Sequence, residues 1–299
     1  MLGVFDSGIG GLTVVRELIK AVPRISFVYF GDTARTPYGT KSPAVIKQYA
    51  LEDAQFLLSQ GAQAIVTACN TASSVAILTL TEKYPKVPIF AVVRPAVAEA
   101  LRVTKTGRIG VIGTRATINS GIYERLLKEG VSGSCHGTHP AGAHPAQRDC
   151  APAGTPVPCH PPCHPERSRG ISGAVKVYSV AAPLLVPLVE EGWLKKPDTK
   201  RILKQYLGPL KRAQVDTLIL GCTHFPLLKN LIAPIMGKRV KLVDPAEAVA
   251  REVATYVADH PEFVPDQVTR RYIVSDRTPR FQEVASHWLG EQVVLEEKC

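Results

Sequence analysis

The chain has 299 residues, of which 45% are hydrophobic, and a formal net charge of +10. This length suits one large domain or two small ones, and the apolar content is enough for a sizeable core. No uninterrupted apolar run approaches about 18 residues, so we expect no membrane span. The first six residues lack the basic region of a signal peptide, so we expect a cytoplasmic protein.

The positive charge permits binding to nucleic acid, to an anionic membrane or to an acidic small molecule. Lys and Arg are scattered along the sequence and do not alternate with aromatic residues, which argues against nucleic acid. We therefore interpret the charge as a solvated basic surface that would tolerate an anionic small substrate. A non-catalytic protein associated with nucleic acid stays open as an alternative.

Apolar runs alternate with amphipathic stretches along most of the chain, which predicts an α/β fold with parallel strands and right-handed crossovers. The predicted strands are residues 2–5, 27–30, 64–68, 89–92, 108–112, 175–180, 217–220 and 240–243. The predicted helices are residues 12–21, 43–60, 73–84, 123–129 and 245–260, with a further helical stretch after Pro226.

Residues from about 132 to 173 break this pattern. They contain four of the seven cysteines and five of the eight histidines, with many Pro, Gly and Ala residues. Because strand-forming sequence resumes at Val175, we interpret the segment as a disordered insertion between a helix and a strand. The Cys and His content leaves zinc binding as the alternative, although the spacing matches no known template and we assign no metal site.

A Gly-rich turn, DSGIGG at residues 6–11, follows the first predicted strand. In a dinucleotide fingerprint the third glycine would fall at Thr13, so the match fails and we expect no nucleotide cofactor. We expect these glycines to let the backbone come close to a small ligand.

Two cysteines have matching surroundings in sequence. Cys69 and Cys222 each follow an apolar strand and one small residue, and each precedes hydroxyl or amide side chains. Ligands of α/β sheets bind beyond the carboxyl ends of strands, and helix-start N–H groups there can lower a thiol pKa. One such cysteine is typical of a small buried hydrophobic residue, but two indicate two halves that face one cleft.

Two opposed thiols suit racemisation at a Cα atom, because one group removes the proton and the other returns it on the opposite face. Asp6 and Ser7 could contact Cys69, and His224 could serve Cys222. Candidate donors to a substrate carboxylate are Asn70, Thr71 and Thr223. A thiol hydrolase is the alternative from another class, and it would need one Cys–His pair only.

Two further stretches could reach the same cleft. The Pro-Tyr-Gly turn at residues 37–39 predicts the Tyr38 hydroxyl at the cleft mouth, with a packed structural Tyr as the alternative. The apolar loop at residues 183–192 ends in Glu190 and Glu191. One interpretation is that both are exposed acids at a helix start, and the alternative is that Glu190 lies near Cys222 and His224.

Six ordered stretches resemble glutamate racemases of the aspartate/glutamate racemase superfamily. They are GVFDSGIGGLTV (3–14), GDTARTPYG (31–39), TACNTAS (67–73), VIGTRATI (111–118), PLLVPLVEEG (183–192) and LGCTHFPLL (220–228). The resemblance covers nearly the whole chain apart from the insertion. It implies interconversion of L- and D-glutamate without a cofactor, which supplies D-glutamate for peptidoglycan synthesis. Another racemase of the superfamily, acting on aspartate or a different amino acid, is the nearest alternative.

The resemblance also implies roles for individual residues. Cys69 and Cys222 match the two catalytic bases, with Asp6, His224 and Glu190 as their assisting groups. The implied substrate-binding residues are Asp6, Ser7, Tyr38, Gly39, Asn70, Thr71, Thr114, Thr223 and His224. We expect two similar parallel-sheet α/β domains, residues 1–94 with 244–299 and residues 95–243, with the active site in the cleft between them. A homodimer is left open.

Overall fold

The computed structural model describes residues 1–130, 174–290 and 292–298. The predicted insertion at 132–173 and its zinc-binding alternative lie outside the described residues, as does Cys299. Within the described part of the chain, no helix is both long enough and apolar enough to cross a membrane.

The described strands form two parallel sheets, which confirms the predicted fold class. The strands are β1 (Leu2–Asp6), β2 (Phe27–Gly31), β3 (Ala64–Thr67), β4 (Ile89–Ala91), β5 (Arg108–Gly113), β6 (Lys176–Ala181), β7 (Thr217–Gly221), β8 (Lys241–Val243), β9 (Arg270–Val274) and β10 (Leu295–Glu297). The larger sheet has the order β10-β9-β2-β1-β3-β4, and the smaller sheet has the order β6-β5-β7-β8. Each recorded strand pair is parallel.

Helices cover the faces of both sheets. They are α1 (Leu12–Ala21), α2 (Pro43–Ser59), α3 (Asn70–Val75), α4 (Ile77–Lys83), α5 (Val93–Val103), α6 (Arg115–Asn119), α7 (Ile122–Glu129), α8 (Leu185–Glu190), α9 (Pro197–Arg212), α10 (Lys229–Met236), α11 (Pro245–Ala258) and α12 (Pro279–Leu289). Strands covered on both faces need continuous apolar runs, and every residue of β1, β2 and β7 is buried.

The two sheets use different parts of the chain. The larger sheet is built from residues 2–91 and 270–297, and the smaller sheet is built from residues 108–243. Helix α5 begins at Val93, so it runs across the domain boundary predicted at residues 94 and 95. The boundaries themselves stay a prediction.

Several predicted elements differ from the structure. The helix predicted at residues 73–84 is two helices, α3 and α4, which meet at Ala76. The Ser74 hydroxyl donates to the carbonyl of Asn70 at 2.7 Å, and such back-bonding competes with regular helix bonds. The apolar loop predicted at residues 183–192 contains the short helix α8. Helices α5, α6, α9 and α12 and strands β9 and β10 had not been predicted.

Candidate active site

Both thiols face one cavity between the two sheets. Cys69 follows β3 of the larger sheet, and Cys222 follows β7 of the smaller sheet, so each lies at a carboxyl end as predicted. The wall contains ten of the predicted residues, namely Ser7, Tyr38, Gly39, Cys69, Asn70, Thr71, Thr114, Cys222, Thr223 and His224. It also contains Thr36, Pro37 and Val186, which had not been predicted. Asp6 and Glu190 lie behind this wall, and each forms a hydrogen bond with one of its residues, Asp6 with Thr223 and Glu190 with His224.

Cys69 caps the start of α3. Its Sγ accepts the N–H of Ala72 at 3.5 Å, and the thiol donates to Ser7 Oγ at 3.6 Å. Burial and the nearby carboxylate of Asp6 raise the pKa of Cys69 to about 12. The N–H groups of Ala72 and Ser7 lower this pKa, as the sequence predicted for helix-start N–H groups, but burial outweighs them and the net shift is upward. At neutral pH Cys69 is a protonated thiol.

Cys222 has a different local structure. A 3₁₀ turn at Phe225–Leu228 follows this thiol and leads into α10 at Lys229, which agrees with the helical stretch predicted after Pro226. The partner of this thiol is His224, whose Nδ1 lies 3.8 Å from Cys222 Sγ. His224 follows Cys222 by two residues, and the tight turn between them brings the imidazole close to the thiol.

His224 is held between Cys222 and Glu190. Its Nε2 lies 2.9 Å from Glu190 Oε1 at the end of α8. Of the two interpretations of Glu190, the one that places it near His224 is therefore confirmed. Burial lowers the pKa of His224, but the contacts with Cys222 and Glu190 outweigh burial and raise it to about 10. At neutral pH the ring is an imidazolium, which would stabilise a thiolate on Cys222. The ring also packs edge-on against Trp288 of α12, with centroids 5.7 Å apart.

Asp6 lies fully buried at the end of β1, between the two thiol regions. Gly8 N–H donates to Oδ2 at 3.1 Å, and Thr223 Oγ1 donates to Oδ1 at 3.3 Å. Burial raises the pKa of Asp6, and the charge of His224 and these hydrogen bonds only partly offset that effect. Asp6 thus contacts the turn that carries Cys222 and adds negative charge near Cys69.

The Gly-rich turn packs against the protein's own catalytic candidates. A Cβ atom at Gly10 would lie 2.4 Å from Thr223 Oγ1 and 2.5 Å from His224 Cε1. The space that glycine leaves at Gly10 is therefore occupied by Thr223 and His224, whereas we had expected a ligand there. Thr13 Oγ1 also donates to the carbonyl of Thr223 at 2.9 Å, which fixes the turn to the second half of the site.

The Tyr38 hydroxyl is not at the cleft mouth, so that prediction is wrong. Tyr38 is 1% exposed, and its hydroxyl contacts the carboxylates of Asp32 and Asp53 behind the cavity wall. Other atoms of Tyr38 and Gly39 line the cavity. A Cβ atom at Gly39 would lie 2.6 Å from the Cβ of Thr114, so glycine allows the loops of the two sheets to meet.

Hydroxyl groups line the side of the cavity near α3 and α6. The side chains of Thr71, Thr114 and Thr117 are mutually within 3.2 Å. The Tyr123 hydroxyl donates to Asn70 Oδ1 at 2.7 Å, which leaves the Asn70 amide nitrogen free to act as a donor. Thr117 and Tyr123 were missed, because nothing in their local sequence distinguishes them from ordinary helix residues.

The site brings several acid/base groups together. Among the residues that the structure describes, no group of three or more His, Cys, Asp or Glu could hold a metal ion. A thiol from one sheet and a thiol–imidazolium pair from the other face the same cavity. This arrangement can exchange protons with a small bound molecule from two sides.

Comparison with known proteins shows the family of this chain. A family model described as Asp/Glu/Hydantoin racemase matches residues 4–153. The glutamate racemase of Geobacter metallireducens is 40% identical over 291 residues, which cover 97% of this chain and 92% of the relative. The glutamate racemase of Aquifex aeolicus is 38% identical over 292 residues, which cover 98% of this chain and 95% of the relative.

Solved structures show the same fold. The glutamate racemase isoform RacE1 from Bacillus anthracis superimposes with a TM-score of 0.81 at 32% identity, covering 100% of this chain and 97% of that one. The glutamate racemase from Francisella tularensis, solved in complex with D-glutamate, gives a TM-score of 0.79 at 31% identity and the same two coverages. The chain therefore belongs to the Asp/Glu/Hydantoin racemase family and is an amino-acid racemase.

Proposed function

We propose that this racemase interconverts L- and D-glutamate without a cofactor, using Cys69 and Cys222 as two bases. The observation that carries the proposal is that these two thiols, one from each sheet, line the same cavity. The substrate follows from the relatives, since those that match over nearly their full length are glutamate racemases. The structure from Francisella tularensis holds D-glutamate, which supports the same substrate.

The groups beside the two thiols suit a proton transfer by way of the substrate. A thiolate on Cys222, stabilised by the His224 imidazolium, removes the Cα proton from one face and becomes a thiol. The Cys69 thiol then gives its proton to the other face and becomes a thiolate. The opposite reaction reverses both steps, so each thiol serves once as acid and once as base.

The remaining polar groups support these two steps. Glu190 holds the imidazolium at Nε2, and the Asp6 carboxyl lies between the thiols. The deprotonated Cα carries charge that spreads into the substrate carboxylate, which needs hydrogen-bond donors. Asn70, Thr71 and Thr114 are the donors that face the cavity on one side, and Thr223 faces it on the other.

The cellular role follows from the product. D-Glutamate made in this way would supply peptidoglycan synthesis, the role implied by resemblance to the family. The mechanism needs two free thiols, and both cysteines are unpaired. A reducing compartment keeps thiols in that state, so we place the enzyme in the cytoplasm.

Turnover of each enantiomer by purified protein tests the proposal. We expect the circular-dichroic signal of L-glutamate and of D-glutamate to decay to zero with no added cofactor or metal. L-Aspartate run in parallel is the matched substrate control. Decay with aspartate and none with glutamate would assign another substrate to the same site, and decay with neither would contradict the proposal.

A further inference from the structure

A buried group of polar side chains lies directly behind the part of the cavity wall formed by residues 36–39. We call it the Tyr38 cluster, and its members are Asp32, Arg35, Tyr38, Asp53 and Ser275. Asp32, Tyr38 and Asp53 are each 1% exposed or less. None of the six sequence stretches that indicated the function assigns a role to Asp53, and the racemisation steps do not use it.

The number of hydrogens in the Tyr38 cluster does not match two ionised carboxylates. The Tyr38 hydroxyl has one hydrogen, yet its oxygen is in hydrogen-bond contact with Asp32 Oδ2 and lies 2.8 Å from Asp53 Oδ2. If both acids were ionised, one contact would place two oxygen atoms together without a hydrogen between them. A buried contact of that kind is costly. One carboxyl group must therefore hold the missing proton.

The surrounding donors identify which carboxyl group is ionised. Asp32 accepts from Arg35 Nε at its Oδ2 and from Ser275 Oγ at its Oδ1, the latter at 2.9 Å. Asp53 has one comparable donor, Arg35 Nη2, at 3.2 Å from Oδ1. A proton on Asp53 Oδ2 completes the chain, because Asp53 donates to Tyr38 and Tyr38 donates to Asp32.

We propose that Asp53 is a positioning residue, a neutral carboxylic acid whose hydrogen bond to Tyr38 holds the wall at residues 36–39 against the substrate. The cluster reaches the site by two routes. Gly39 of this wall packs against Thr114 from the smaller sheet, and Asp32 N–H donates to the carbonyl of Asp6 at 3.0 Å. A shift of Tyr38 would move the wall relative to both.

The electrostatic surroundings of Asp53 agree with this assignment. Burial and the charge of Asp32 raise the pKa of Asp53 well above its usual range. The groups that favour its charged form are Tyr38, Arg35 and Lys298, and they only partly offset that effect. Arg35 is also shared with Asp32 and with the half-exposed Glu52, so its charge is divided among three acids.

Three variants separate a neutral Asp53 from an ionised one. Asp53→Asn keeps a donor for Tyr38 and an acceptor for Arg35, so we expect its KM for glutamate to stay within about threefold of the wild type. The carboxylate of Asp32 accepts two hydrogens at Oδ2 and one at Oδ1, and Asp32→Asn replaces one of these two acceptor oxygens by a donor. Asp53→Leu removes the hydrogen bonds of Asp53 to Tyr38 and Arg35. We expect KM to rise at least about tenfold in each of these two, with kcat changing less, because the wall binds substrate and touches no reacting atom. Equal damage from Asp53→Asn and Asp32→Asn would overturn the proposal.

The dependence of stability on pH gives a second test, which needs no substrate. A neutral Asp53 keeps its proton in the native state from about pH 5 upward, where an unfolded Asp has lost it. The native state then holds the extra proton, so stability falls as pH rises until the raised pKa is passed. In urea titrations, the folding equilibrium constant of the wild type relative to Asp53→Asn should fall by up to about tenfold per pH unit.

Only the kinetic test rests on the proposed function. Wild-type and Asp53→Asn stabilities that run parallel across pH would overturn the assignment of the proton, whether or not glutamate is turned over. If glutamate is not the substrate, the urea titrations alone decide the question. Failure of the proposed function and failure of this inference are therefore distinguishable.

Discussion

Replacing either cysteine of the cavity is expected to abolish racemisation while the protein stays folded. Cys69→Ala and Cys222→Ala should each lower kcat/KM for glutamate by more than about 10³-fold, since each removes one of the two proton-transfer groups. Each thiol is small and nearly buried, and Ala fits the same space. The measurement is circular-dichroic turnover from both enantiomers, with thermal unfolding to verify the fold.

Cys299→Ala is the matched control for these variants, since this cysteine is not part of the proposed site. It should retain wild-type turnover. Near-normal racemisation by either Cys69→Ala or Cys222→Ala would contradict the two-base scheme. A thiol hydrolase would lose its activity when Cys222 is replaced and keep it when Cys69 is replaced, because Cys222 is the thiol that lies beside His224.

The His224–Glu190 pair is expected to set the alkaline limb of the pH profile. The pKa of His224 is raised to about 10, so the ring is charged below that pH and loses its proton above it. Once the imidazolium is lost, the thiolate on Cys222 has no cation beside it. We therefore expect kcat/KM to fall as pH rises through about 10.

Two substitutions test the roles within this pair. His224→Asn should lower kcat/KM by about 10²-fold or more, equally for L- and D-glutamate because the equilibrium constant of a racemase is one. Contacts with Cys222 and with Glu190 raise the pKa of His224, and Glu190→Gln removes the charge of the second, so the alkaline limb of this variant should move to lower pH. Glu191→Gln is the matched control, since Glu191 is an exposed neighbour beyond α8, and it should leave the limb unchanged. A limb that stays in place in Glu190→Gln would contradict the assigned role.

The parts of the fold that depend on buried apolar runs could be predicted from the sequence. The eight strands β1 to β8 were all expected within two residues of their observed bounds. Strands β9 and β10 were missed because they are polar at the surface: β9 starts with Arg270 and Arg271, and β10 ends in exposed glutamates. Pattern alone does not distinguish such strands from loops.

The candidate site could be predicted where its chemistry follows a strand directly. Cys69 and Cys222 were recognised because each terminates a buried strand, and the structure places both on one cavity. Several neighbours of the thiols were also expected, namely Ser7, His224 and Glu190, but the net pKa shifts at the site could not be predicted, because burial contributes strongly to them. The shift of the Cys69 pKa comes from burial and Asp6, and that of His224 depends on Glu190, 34 residues away.

The direction of the Tyr38 side chain is another feature that the sequence did not predict. A turn sequence indicates that Tyr38 lies at the carboxyl edge of the sheet, but not which way its hydroxyl points. That direction is set by Asp53 on α2 and by Asp32, which is itself held by Ser275 from beyond β9. Only the assembled fold brings these three groups together.

Racemisation in heavy water tests the two-base mechanism most directly. Glutamate of one enantiomer is incubated with the enzyme in D₂O, and both enantiomers are recovered at low conversion for mass analysis. The two-cysteine scheme predicts one deuterium at Cα of the product and almost none in the remaining substrate, because the base that removes the proton is not the acid that returns the deuteron. Deuterium that enters the recovered substrate as fast as product forms would show a single base exchanging on one face, and would contradict the account.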